Sequence, residues 1–439
     1  MDYVLYVALA FGFYMAWSIG SNDAANAMGT SVGSKAVTFK EAVIIAAIFE
    51  FGGAVVAGGD VTNTIRDGIM DPTLFQSAQL FPHGAGAELF AIGMMSALVA
   101  AAVWIHIAAF LGWPVSTTHS IVGAVTGFGV VSVGFANVNW WVIVKIVLSW
   151  GFSPVLGGLL AFFSFSAIRR LIFDADDPVE ATKRYSPVLA FPVFLVLWLV
   201  TFFKGLSNVP LQEYGIGLVE MVGLSAVGAT IASAIVWFIL QNVDLSEGRA
   251  GRDTSIDDDG EAVEVREVER VFRYLQVITA CFVAFAHGSN DVANSIGPLA
   301  AIVNLYDGTS WSGAQLGSQV PVPTWILVLG GLGIVIGLAT YGYRVIETIG
   351  SKITDITPSR GFAAEFGAAT TIMVGTKAGI PLSTTHTIVG AVIGVGFARG
   401  MNALNLELIW DIVKSWIYTI PFTAVLTILL YYLFSIPVV

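Results

Sequence analysis

The chain has 439 residues, 56% of them hydrophobic and 12% charged, with a formal net charge of −11 and a mean hydropathy of +0.79. That balance excludes a soluble globule and gives nucleic acid nothing to bind; it belongs to a polytopic membrane protein. The single cysteine, Cys281, excludes an internal disulfide.

The first apolar run, near 3–20, follows Met1-Asp2-Tyr3-Val4, which has no basic n-region or small-residue cleavage site, and it reads as a retained helix, not a signal peptide. Gly20-Ser21-Asn22-Asp23-Ala24-Ala25-Asn26 follows, overlapping a shorter apolar piece near 24–34. Helices are predicted near 40–60 and 88–111, then comes Pro114-Val115-Ser116-Thr117-Thr118-His119, a short piece near 119–133 and a helix near 138–166. A basic segment at 167–185, with Arg169, Arg170, Lys183 and Arg184, leads to helices near 187–203 and 213–240. Residues 244–269 then set ten acidic side chains against three arginines, the pattern of a solvated linker.

Beyond the linker the same order returns. A helix near 271–288 runs into Gly288-Ser289-Asn290-Asp291-Val292-Ala293-Asn294 and a short piece near 292–303. Helices near 323–343 and 361–379 precede Pro381-Leu382-Ser383-Thr384-Thr385-His386, a short piece near 386–398 and a helix near 408–436. Asp23 to Ser116 is 93 residues and Asp291 to Ser383 is 92, so layout as well as vocabulary is duplicated. The short pieces cannot span alone and are candidates for half-helices and re-entrant hairpins.

Lys35 and Lys40 follow the first Asn-Asp motif, whereas 304–322 has no Lys or Arg; the next loop has Arg66 in the first half and Arg344, Lys352 and Arg360 in the second. The bias flips, which predicts an inverted repeat with the N-terminus outside and the acidic linker cytoplasmic. The expected fold is all-α and polytopic, with broken helices, re-entrant hairpins and about 10–12 transmembrane segments. Its divisions are 1–166 as first repeat, 167–240 as cytoplasmic loop plus two intervening helices, 241–270 as linker and 271–439 as second repeat.

Asp23 and Asp291 lie at membrane depth, where an unpartnered carboxylate costs at least about 3 kcal/mol. Asn22, Asn26, Asn290 and Asn294 offer amide oxygens, and helices broken at Gly20 and Gly288 would free carbonyls; such hard ligands suit a small cation such as Na⁺. Alternatively the aspartates cap the broken helices. Ser116, Thr117, Thr118, Ser383, Thr384 and Thr385 look like helix starts whose hydroxyls and unpaired N–H groups form anion sites, or else plain caps. Neither motif contains Lys or Arg, so an anion there needs cations that enter with it. Phosphate, which can donate a proton to an aspartate, is favoured over sulfate, which only accepts.

These doubled Gly-x-Asn-Asp-x-x-Asn and Pro-x-Ser-Thr-Thr-His motifs, in this order, resemble the PiT family of inorganic phosphate transporters, over roughly 1–166 and 271–436 and at Phe203-Lys204-Gly205. The resemblance implies a cation-coupled phosphate symporter, a homodimer in the bilayer, with Na⁺ as co-transported ion, no other cofactor and no enzymatic activity. It carries Asp23, Asn26, Ser116, Thr117, Thr118, Asp291, Asn294, Ser383, Thr384 and Thr385 over to the phosphate and sodium sites. Proton coupling, or sulfate or another tetrahedral oxyanion as cargo, is the alternative. A channel would want a continuous polar file, an intramembrane serine hydrolase a Gly-x-Ser-x-Gly context, and an ATP-driven pump a Gly-x-x-x-x-Gly-Lys-Ser/Thr loop that is absent from the sequence.

Ser21 and Ser289 stand where the family usually has alanine, and could bind an ion or cap a helix. Glu50 and Glu365 also match family positions, as accessory cation ligands or buried hydrogen-bonded acids. His119, His386 and His287 read as proton relays or as packing residues bonded to carbonyls. Lys145 and Lys414 suit snorkelling at the interface, the tryptophans interfacial anchoring, and Gly52-Gly53, Gly58-Gly59, Gly157-Gly158 and Gly330-Gly331 close helix packing.

Overall fold

The computed structural model describes residues 2–77, 79–81, 85–202, 216–242, 263–306, 322–400, 402 and 404–436. Phe203-Lys204-Gly205 and linker residues 243–262 lie outside the described residues. Backbone polar groups inside a bilayer must be paired within the segment, and the described chain is accordingly almost entirely helical. The helices are α1 (Asp2–Gly33), α2 (Phe39–Ala57), α3 (Gly59–Asp67), α4 (Gly86–Leu111), α5 (Thr117–Ser132), α6 (Trp140–Ile168), α7 (Pro178–Val200) and α8 (Leu218–Asn242). After the linker come α9 (Val263–Leu305), α10 (Thr324–Tyr341), α11 (Tyr343–Glu347), α12 (Pro358–Lys377), α13 (Thr384–Arg399) and α14 (Leu406–Ser435). Seven of them (α4, α6 to α10 and α14) are long and apolar enough to cross a membrane by length and composition. α1, α2 and α12 complete the bundle and carry buried polar residues.

The expected breaks at Gly20 and Gly288 are not there: α1 runs unbroken for 32 residues and α9 for 43. The short pieces near 24–34 and 292–303 are therefore the C-terminal parts of long helices, and no carbonyls are freed. Both glycines serve close packing instead. A Cβ on Gly20 would stand 1.8 Å from Ile334 O, and one on Gly288 2.0 Å from Glu50 O. Glycine costs a helix about 1 kcal/mol relative to alanine, too little to break it where no water waits to take the backbone groups. Of the glycine pairs expected at packing points, Gly52 and Gly59 face open space, whereas Gly53 and Gly58 meet Phe285 O and Val292.

Helix breaks occur one element later, at Gly58 between α2 and α3 and at Gly342 between α10 and α11. The short pieces near 119–133 and 386–398 are α5 and α13, each folded back on α4 or α12 through a tight turn. Gly112 (φ 70°) and Gly379 (φ 66°) open those turns in the left-handed region that other residues avoid.

The halves match contact for contact. Thr64 Oγ1 donates to Gly379 O at 2.8 Å and Thr348 Oγ1 to Gly112 O at 3.0 Å. Asn139 N donates to Ile69 O at 2.8 Å and Asn405 N to Ile353 O at 3.0 Å. Each half thus ties down the hairpin turn of the other, the reciprocity expected of a two-fold relation. α1 packs on α9, α10 and α4, while α5 packs on α14 and α13 on α6, which brings the two Asn-Asp motifs and the two hairpin helices to the centre.

Candidate functional site

Asp23 and Asp291 project from the middles of α1 and α9, and both are fully buried. A carboxylate oxygen of each, with a ring nitrogen of His287, lies within 4.8 Å of the others. The sequence separation of 268 residues vanishes because α1 packs directly against α9. Two acids this close cannot share a buried site without charge compensation.

Hydroxyls at the hairpin helix starts supply the first part. Thr117 Oγ1 donates to Asp23 Oδ2 and Thr384 Oγ1 to Asp291 Oδ2, both at 2.6 Å. Thr385 Oγ1 lies 3.3 Å from Asp23 Oδ1 and 3.0 Å from Val115 O, and Thr118 Oγ1 donates to Leu382 O at 2.9 Å. The asparagines cross between halves: Asn26 Nδ2 donates to Thr385 Oγ1 at 2.9 Å and Asn294 Nδ2 to Thr117 Oγ1 at 3.2 Å. Asn26 Oδ1 is buried without a hydrogen-bond partner among the described residues, an acceptor open to a cation or a donor.

The remaining members of the motifs position these groups. Ser116 Oγ accepts from His119 N and Ser383 Oγ from His386 N, both at 3.2 Å, as helix N-caps. The N–H groups of Thr117 and Thr118, and of Thr384 and Thr385, precede the first intrahelical bonds of α5 and α13, as at any helix start. Asn22 fastens the first hairpin turn, donating to Trp113 O at 2.9 Å and accepting from Val115 N at 3.3 Å. The Asn290 amide is 3.0 Å from Thr376 Oγ1 on α12. Ser21 and Ser289 take no part: each hydroxyl donates to a carbonyl one turn back, Ser18 O or Ala286 O.

Glu50 and Glu365 have different surroundings. Glu50 Oε1 is hydrogen-bonded to His287 Nδ1 at 3.1 Å, and His287 Nε2 lies 3.0 Å from Asp291 Oδ2 without hydrogen-bond geometry, so the imidazole stands between two carboxylates with all three groups buried. By sequence His287 is a proton relay or a packing residue, and the structure sets it against Asp291. Its four-residue spacing from Asp291, which puts both on one helix face, was the signal. Glu365 sits among four donors: Thr30 Oγ1 (2.7 Å), Ser31 Oγ (2.6 Å), Gln276 Nε2 (3.0 Å) and Thr279 Oγ1 (2.5 Å). Here it is a satisfied buried acid, held by α1 and α9.

His119 and His386 are packing residues. Their rings meet at 4.4 Å, lie against Trp150 and Trp416, and bond Trp416 O and Trp150 O through Nδ1. Because a carbonyl only accepts, Nδ1 carries the proton in each. Lys145 and Lys414 lie over Trp141 and Trp410 at 5.4 and 5.8 Å, as snorkelling side chains do.

A buried cluster of two carboxylates, crossed amides, paired hydroxyls and two helix starts has the donors and acceptors of an ion site. Known proteins agree with that chemistry. The family model described as the phosphate transporter family matches residues 19–427. A candidate phosphate permease of Pyrococcus abyssi is 44% identical over 431 residues, 98% of each chain. The chloroplastic inorganic phosphate transporter 2-1 of Arabidopsis thaliana is 42% identical over 447 residues, 98% of this chain and 72% of that one. A solved structure titled "The sodium-dependent phosphate transporter" superposes with a TM-score of 0.82 at 38% identity, covering 99% of both chains. With its duplicated Asn-Asp and Ser-Thr-Thr motifs gathered into one buried site, this chain belongs to the phosphate transporter family and is a multi-pass membrane transporter, not an enzyme.

Proposed function

We propose that the protein is a Na⁺-coupled symporter of inorganic phosphate, in which Asp23, Asn22 and Asn26, with Asp291, Asn290 and Asn294, hold the cations. Phosphate binds between the starts of α5 and α13, against Thr117, Thr118, Thr384 and Thr385, with Ser116 and Ser383 as caps that shape those starts. The observation that carries this reading is the joining of Asp23 and Asp291 in one buried cluster whose hydrogen bonds and ion pairs, among the described residues, include no lysine or arginine. An anion can enter such a cluster only with cations from solution, which makes coupling obligatory. The similar solved structure, titled as sodium-dependent, supports Na⁺ as that cation. Relative movement of the two halves then alternates access. The protein sits in the cell membrane as a homodimer, N-terminus outside and acidic linker cytoplasmic, as the inverted Lys/Arg bias requires. Glu365 serves as an accessory acid whose four donors come from both Asn-Asp helices.

One observation favours a second reading. His287 stands between the carboxylates of Glu50 and Asp291, a set of buried titratable groups of the kind that a proton-coupled symporter needs. Labelled-phosphate uptake into proteoliposomes separates the two. Accumulation is expected with an inward Na⁺ gradient at fixed pH and not with a proton gradient in Na⁺-free buffer; the reverse result would transfer coupling to His287 and its two carboxylates.

The hydroxyls provide a finer test. Hydrogen bonds to charged groups are worth about 1.5–3 kcal/mol, so Thr117→Val or Thr384→Val is expected to raise the phosphate KM roughly tenfold or more. Saturation curves superimposable on the wild type would reduce these threonines to helix-start residues.

A further inference from the structure

A cavity of about 420 Å³ lies outside the ion site, between the α4–α5 turn, the wide turn at Thr348–Lys352 and the first turns of α14. Its lining combines apolar side chains, Trp113 and Pro114 from the α4–α5 turn and Tyr418 from α14, with the charged side chains of Lys352, Lys414 and Asp411. Trp113 and Tyr418 are 47% and 63% exposed, so this apolar lining reaches the outer surface of the helix bundle, where acyl chains lie.

The lysines are loosely held. Lys352 Nζ is 3.4 Å from Glu347 and Lys414 Nζ 2.9 Å from Asp411, and both acids are more than half exposed. Such pairs are weak, and an ammonium has three donors to share. Each lysine is thus balanced by one exposed carboxylate, and what the corner offers an anion is the ammonium donors that these weak pairs leave over.

The duplication shows that these lysines are not a requirement of the scaffold. The corresponding corner of the other half has the same Thr64-to-Gly379 bond that Thr348 makes to Gly112. By the register of those bonds and of the Trp150/Trp416 pair, it carries Gly68 where this corner has Lys352 and Leu148 where it has Lys414. That corner has Lys145 in place of Asp411, so a pair of lysines on the two sides of the cavity is found in one corner alone.

We infer that this corner binds the phosphodiester head of an anionic phospholipid, its singly charged phosphate between Lys352 and Lys414 and an acyl chain along Trp113 and Tyr418. Basic pockets between membrane helices recognise lipid heads in this way, and an amphiphile satisfies both parts of the lining at once. Inorganic phosphate has the same headgroup chemistry but no use for the apolar part. The occupant would bear on the α4–α5 turn, which Asn22 and Thr348 fasten and which positions Thr117 against Asp23.

The test uses the full-length protein and phosphatidylglycerol. In native mass spectrometry, bound phosphatidylglycerol is expected to fall about tenfold or more in Lys352→Gln/Lys414→Gln and to be unchanged in Lys145→Gln, the lysine on the other face. Uptake of phosphate by wild type is expected to differ between phosphatidylcholine vesicles with and without phosphatidylglycerol, and the double variant to lose that difference. Lipid retention equal in the double variant and wild type would overturn the inference. So would displacement of the lipid by millimolar inorganic phosphate, or a raised phosphate KM of the double variant in pure phosphatidylcholine; either would make the cavity a waiting site for cargo. Lipid retention is read without transport, so it stands or falls separately from the Na⁺-coupling proposal.

Discussion

Asp23→Asn and Asp291→Asn are each expected to abolish coupled phosphate uptake, by about a hundredfold or more, while the protein inserts and folds. The substitution keeps the shape and the acceptor for Thr117 or Thr384 but deletes the charge that draws a cation into the cluster. A charge partner at membrane depth is worth about 3 kcal/mol, and each 1.4 kcal/mol is a factor of ten. Uptake into proteoliposomes at saturating Na⁺ measures the loss, and elution as a single symmetric peak in size exclusion checks the fold. Cation-driven uptake at the wild-type rate in both variants would remove the carboxylates from the mechanism. The two should differ in stability: Asp291 is 3.0 Å from His287, which pairs with Glu50, whereas Asp23 is hydrogen-bonded to hydroxyls, with His287 and Asp291 within 4.8 Å. Asp291→Asn therefore also disturbs that buried set of charges, and its thermal midpoint in detergent is expected below that of Asp23→Asn.

Gly20→Ala and Gly288→Ala are expected to be among the most damaging single-methyl changes in the chain's centre. Each new Cβ would fall within 2.0 Å of a backbone carbonyl, Ile334 O or Glu50 O, and backbone cannot rotate aside as a side chain can. Helices α1 and α10, or α9 and α2, would have to part, at a cost of about 3 kcal/mol or more, and the Asp23–Asp291 geometry would go with them. Gly52→Ala and Gly59→Ala are the controls. A Cβ there meets nothing within 4 Å, so alanine's helix propensity should leave stability unchanged or raise it by about 1 kcal/mol. Thermal unfolding of the four variants in detergent decides the matter; equal midpoints would mean that the close crossings are not what holds the centre together.

Much of this protein was legible as text. Apolar runs of about 20 residues announced the bilayer, and two polar motifs repeated at spacings of 93 and 92 residues located the duplicated site. Such motifs persist inside apolar sequence only where they are used, because each buried polar group must be satisfied. The same reasoning identified α5 and α13 as short helices after Pro-x-Ser, since caps and prolines act locally.

What stayed hidden depended on which helix lies against which. Gly20 and Gly288 read locally as helix breakers, and only the carbonyls of Ile334 and Glu50 on neighbouring helices reveal them as crossing points. Ser21 and Ser289 are indistinguishable in sequence from ion ligands until their hydroxyls are seen turned back to Ser18 O and Ala286 O. His287 became part of the site through Glu50, 237 residues away. The sequence by itself determined the solvent, the duplication and which side chains are candidates for the site, because burial cost and capping act residue by residue. Which acids share one charge balance was decided by the tertiary structure alone, because electrostatic coupling at low dielectric depends on distances of a few ångströms that sequence separation does not encode.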